Sequence, residues 1–132
     1  LNSPNHQWRK AQQLRIGDQP DPIARLELVM RSTVACVDAH RADFAIIQFA
    51  ASDEKFAPVL ARNREISIND TIRHLKDGIV DGRIRDQEPE GLAHAIHGVV
   101  AELTRHALID ANLPVAEVAD LCVAFCLDGL CD

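Results

Sequence analysis

Side chains that can be buried return every third or fourth position along most of this chain, and that spacing points to one class of fold. Leu26, Val29, Met30, Thr33, Val34 and Val37 mark a first stripe. Val59, Leu60, Ile68, Ile72, Leu75 and Ile79 mark a second, and Leu92, Ile96, Val99 and Leu103 a third. Val115, Val118, Ala119, Cys122, Phe125, Cys126 and Leu130 form a fourth, broader surface. A period between three and four places each set on one side of an α-helix, where it can be buried against its neighbours. The chain has no tyrosine, one tryptophan and few β-branched runs. With much Ala and Leu, this favours an all-α domain, an antiparallel helical bundle.

The punctuation agrees. The run Gly17 to Pro22, "GDQPDP", reads as a linker after a polar segment in which Asn5 to Ile16 forms the end of a helix. Asp21 is placed to cap the next helix, and Pro22 suits its first turn. His40 and Arg41 suit its end. "DFAIIQFAA", Asp43 to Ala51, could be a strand by periodicity alone, although its helical neighbours favour a short buried helix. Gly78 is expected to weaken the long helix after Phe56, and Gly82 to stop it. Pro89 restarts the chain, and Leu113-Pro114 opens the last helix. The last two helices are too apolar for one core face each, so a second burial surface is expected, most simply a symmetric dimer.

Length and charge narrow the function. The 132 residues suffice for one domain with a core. Hydrophobic residues make up 47% and charged residues 26%, a globular composition. The net charge of −6 argues against a broad nucleic-acid-gripping face. No apolar run approaches the ~20 residues of a membrane span. Cys36, Cys122, Cys126 and Cys131 make no disulfide framework, and the cytoplasm is the simpler compartment. The chain begins with Leu1, a residue before which an initiator methionine is not normally removed. Leu1 is therefore expected to be an internal position of a longer protein.

Several groups invite a chemical reading. His94 and His97 share a helix face, with Glu90 one turn earlier, and could supply metal ligands in a bundle. A metal needs more ligands than these, and no second Glu-x-x-His accompanies them. The plainer reading makes them polar positions flanking Leu92, Ile96 and Val99, with modest pH sensitivity if they approach a two-fold axis. His74 and His106 read as surface or helix-end residues. Cys122 and Cys126 lie one turn apart on an apolar face, where a redox switch competes with the commoner role of small buried hydrophobe. There is no Gly-rich phosphate loop and no Gly-x-Ser-x-Gly elbow, so an enzyme has no positive support. Met30, Val34, Phe44, Ile47, Phe56, Leu60, Ile68 and Ile72 could line a cavity. With Arg31, Arg41 and Asp43 as the only nearby charges, its ligand is expected to be hydrophobic or amphipathic. Phe44, Phe56 and Met30 are the most adaptable contacts.

One stretch gives these pieces an order. "L-x-x-G-I-V-x-G-x-I-R-D" runs from Leu75 to Asp86, followed by "E-P-E-G-L-A" (Glu88 to Ala93), "I-H-G-V-V-A-E-L" (Ile96 to Leu103) and "L-D-G-L" (Leu127 to Leu130). From about Ala61 to Leu130 the chain resembles the C-terminal half of the TetR family of bacterial transcriptional regulators. The resemblance implies residues 1–20 as the end of a connecting helix and a linker, and 21–132 as a ligand-binding and dimerisation domain. It implies a homodimer whose last two helices form an intersubunit four-helix bundle. Leu92, Ile96, Val99, Leu103, Val118, Cys122 and Phe125 would lie at that interface. It further implies a small-molecule effector that alters operator binding, most simply by a repressor, with no cofactor. The family's helix-turn-helix has no counterpart in these residues, so operator DNA is a partner only through a separate N-terminal domain. A stand-alone helical dimer binding a metal or cofactor through His94 and His97 is the alternative. Glu88 stands where the family often has Asp, a better N-cap.

Overall fold

A computed structural model describes residues 16, 18–42, 53–55 and 57–131. The described residues form an all-α bundle. In chain order they give α1 (Pro22–Ala39), α2 (Ala57–Val80), α3 (Pro89–Leu103), a π-helical continuation of α3 (Thr104–Asp110) and α4 (Val115–Leu130). The helix end expected over 5–15 and the segment 43–51 lie outside the described residues.

Helix starts follow the expected chemistry. The Asp21 Oδ1 atom accepts from the Ile23 amide at 3.0 Å, and Pro22 needs no partner in the first turn. Glu88 caps α3 despite its longer side chain. Its two oxygens accept from the amides of Glu90 (2.9 Å) and Gly91 (2.5 Å). At the far end of α1, His40 closes the helix by donating its amide to the carbonyls of Cys36 and Val37.

The core lies where α1 crosses the other helices. Leu26, Met30 and Val34 recur at steps of four on α1 and are fully buried. They share one apolar cluster with Val118, Cys122, Cys126 and Leu130, also at steps of four, on α4. Ile68 and Leu75 enter that cluster from α2, and Ala93, Ile96 and Val100 from α3. Burial of each large aliphatic side chain here contributes about 1.5–3 kcal/mol. Partly exposed ion pairs, worth at most about 1 kcal/mol each, add alignment. Arg25 meets Asp77 at 2.9 Å between α1 and α2, and Arg31 meets Asp120 at 2.7 Å between α1 and α4.

Three features depart from the sequence reading. First, Gly78 is more than a weak point near the end of α2: the following turn docks on it, and a Cβ there would collide with Ile84 Cδ1. Second, His74 is not a surface residue; it is 6% exposed. It belongs to a Thr71–His74–Gly78 edge beside the Ile68–Leu75 stripe. Third, α3 ends in π geometry, in which one extra residue per turn brings Thr104, Ala107 and Leu108 inward. Asn112, at φ 53°, then reverses the chain, a left-handed conformation that Asn tolerates. Its Oδ1 accepts from Arg41 Nη1 at 2.7 Å, tying the end of α1 to the turn before α4.

Candidate functional site

The concave feature of interest runs between α2 and α3. Helix α2 contributes Ala61, Arg64, Glu65, Ile68, Asn69 and Ile72, and the first turns of α3 contribute Glu90 and His94. Together they enclose about 290 Å³. Ala61, Ile68 and Ile72 recur at helical steps and give an apolar floor. Arg64, Glu65, Asn69, Glu90 and His94 give a rim carrying both signs of charge. Such a surface can hold a small amphipathic molecule, with its apolar part against Ile68 and Ile72 and polar groups at the rim.

Histidine placement separates the two chemical readings of this rim. His94 is exposed and His97 is half-buried. Burial holds His97 below its ordinary pKa, and the nearby Arg64 guanidinium and His94 push the same way. A guanidinium beside the pair opposes a metal cation there. Among the described residues, no group of three or more His, Cys, Asp and Glu side chains is arranged to hold one.

Of the eight residues expected to line a cavity, Ile68 and Ile72 face the groove. Met30 and Val34 lie in the sealed core, in the same cluster as Ile68. Leu60 is half-buried beside the groove lining rather than part of it. Phe44, Ile47 and Phe56 lie outside the described residues. Sequence reasoning passed over Ala61, Arg64, Glu65 and Asn69. The available signal was the Ala61–Glu65–Ile68–Ile72 spacing, a face beside the buried stripe rather than on it.

The seven residues expected at a dimer interface also divide. Val118 and Cys122 have no exposed surface, and Ile96 is nearly enclosed, because α1 and α2 cover them within the same chain. Leu92, Val99 and Leu103 are half-buried and pack against the core. Phe125 is 69% exposed, and Leu121, one turn earlier, is 46% exposed. The apolar surface that α4 leaves open is therefore centred on Leu121 and Phe125.

The remaining reactive groups are inward. Cys122 and Cys126 are buried thiols. Burial, together with the Cys122 neighbour, pushes the Cys126 pKa up to about 11, so little thiolate exists near neutral pH. His74 is held below its ordinary pKa, first by burial and then by Arg25 and Arg73, against the opposite pull of Asp70 and Asp77. Its Nδ1 is buried without a hydrogen-bond partner among the described residues.

Among the described residues, no helix is long and apolar enough to cross a membrane. No family model matches the chain, and no curated protein matches it. Among solved structures, it is similar to a candidate fatty acid metabolism regulator from Clostridium perfringens, with a TM-score of 0.77 and 21% sequence identity. The likeness covers 92% of this chain and 67% of that one. At this identity it is a likeness of fold: the bundle that places the α2–α3 groove and the exposed Phe125 is also the architecture of a larger protein described as a regulator.

Proposed function

We propose that this chain is the effector-binding and dimerisation domain of a TetR-type transcriptional regulator, acting as a repressor in the cytoplasm. The observation that carries the reading is the regulator-like fold over 92% of the chain. The Leu75–Leu103 sequence run agrees with it, since it spans the joint between the groove helix and the next helix. In this reading a small amphipathic effector enters the α2–α3 groove. A second copy of the chain covers Leu121 and Phe125, and DNA is contacted by a helix-turn-helix segment outside these 132 residues. The effector acts by binding one arrangement of the dimer better than another, and it can shift that equilibrium by no more than this difference. Couplings of this kind amount to about 1–3 kcal/mol.

The dimer is the part most directly tested. A specific interface buries roughly 1,600 Å² in all. The chain should sediment at twice its 14.6 kDa mass, and Phe125→Asp or Leu121→Asp should sediment as a folded monomer. Both positions are exposed in the single chain, so neither change disturbs its own core. Val99 is a poorer probe because it packs against that core. Two folded variants with undiminished dimerisation would remove the α4 surface from the proposal.

A further inference from the structure

Residues 81–87 are a short connection, yet they touch three helix ends. At the end of α2, the Gly82 amide donates to Ile79 O at 3.0 Å and the Arg83 amide to Gly78 O at 3.0 Å. These two bonds make a Schellman closure, with Gly82 at φ 76° supplying its left-handed residue. The buried Ile84 then seats against the bare backbone of Gly78, and its amide also reaches Gly78 O, at 3.1 Å. At the start of α1, Arg83 Nη1 pairs with Asp21 Oδ2 at 2.8 Å. At the end of α4, the Arg85 amide donates to Leu130 O at 3.2 Å and Arg85 Nη2 to Gly129 O at 2.5 Å. A cation placed on those last carbonyls also complements the helix dipole.

Both walls of the groove grow out of this connection. Helix α2 runs into it, and α3 starts just beyond it at Pro89, one residue before Glu90 and five before His94. A molecule that parts α2 from α3 must move the connection or deform it. We propose that residues 81–87 are a relay. Its position is set by the spacing of the groove walls and is felt together at the first turn of α1 and the last turn of α4. The two arginines make the coupling: Arg83 holds one end and Arg85 the other, with a single intervening residue, Ile84, wedged against α2. A shift that frees Arg85 from α4 drags Arg83 from Asp21, and the reverse holds equally, because coupling between sites is reciprocal. The relay rests on the regulator reading for its use, since the chain before α1 leads toward the proposed DNA-binding segment and α4 carries the proposed dimer surface. Its existence does not depend on that reading.

Hydrogen exchange on the isolated chain tests it without DNA or effector. In Arg85→Ala, the amides of residues 127–131 should exchange faster because their own contact is gone. The relay adds that amides 25–28 of α1 also exchange faster, by about fivefold or more, the lower end of ordinary coupling. Arg83→Ala should reciprocally accelerate residues 127–131. The inference is overturned if each variant loosens its own partner helix end and leaves the other unchanged. It is equally overturned if the acceleration spreads evenly through residues 30–34 and 119–123, which would report loss of the whole fold. Arg85→Lys keeps a cation at the α4 terminus and should give a smaller response at both ends together. Failure of the dimer test with success here would leave the relay and remove its proposed use.

Discussion

A buried imidazole whose Nδ1 has no hydrogen-bond partner among the described residues makes the fold sensitive to acid. His74 and, less deeply, His97 are both held below the ordinary value of 6.5 by burial and by neighbouring arginines. In the unfolded chain each takes up a proton as the pH falls through about 6.5, while in the folded chain each resists it. The unfolded state thus binds more protons there, and stability declines as pH falls from about 6.5 toward the depressed folded values. The melting temperature should drop between pH 7.5 and 5.5. His74→Leu should flatten that decline and cost little at pH 7.5, because removing a polar atom that lacks a partner returns part of its desolvation penalty. An unchanged acid slope in this variant would assign the effect elsewhere. The thiols follow the same logic. Cys36 and Cys131, which are half-buried, should react with a thiol reagent in the native protein well before Cys122 and Cys126, which should become reactive only on unfolding.

Among the elements, α2 and its exit turn show how the environment reverses a residue preference. Alanine in a helix is better than glycine by about 1 kcal/mol. At Gly78, however, an added methyl would collide with Ile84, and forcing that core contact apart costs roughly 1–3 kcal/mol. Gly78→Ala alone should therefore destabilise. In an Ile84→Ala background the same change should stabilise, since only the residue 84 Cβ remains, at 3.5 Å, an ordinary contact. Urea denaturation of the four proteins reads both signs, and the same sign in both backgrounds would refute the contact. Much at this scale was legible in the sequence. Asp21-Pro22, Gly82 and Pro89 stand where helices start and stop, because capping and left-handed geometry are local chemistry. The π continuation after Leu103 was not legible, since the spacing of Ala107 and Leu108 is compatible with an uninterrupted α-helix. Nor was the burial of His74, because nothing local tells that α1 will cover that edge.

For the whole molecule, apolar residues were easier to identify than the partner each one meets. A stripe gives an angle on a helix, not the helix that fills it. The family resemblance implies an interface that includes Val118, Cys122 and Ile96, yet all three are buried in the core of the single chain. Likewise Met30 and Val34, expected along a cavity, lie in the sealed core beside Ile68, which alone of the three also reaches the groove. What α4 leaves exposed is a smaller apolar patch around Leu121 and Phe125. A dimer held there should melt at a temperature that rises with protein concentration, by mass action, whereas Phe125→Asp should melt independently of it. A concentration-independent midpoint in the unmodified chain would mean that the subunit is stable without a partner.

Asp21 serves two demands with one carboxylate. Oδ1 closes the first turn of α1, and Oδ2 holds Arg83. Serine or asparagine could meet the first demand but supplies no charge for the second. Glutamate could meet the second but is a weaker cap. Few replacements satisfy both, so this position should accept less variety than its partial exposure suggests. In a library of random variants, the substitutions tolerated at residue 21 should widen once Arg83 has been replaced, since only the cap would then remain to be satisfied.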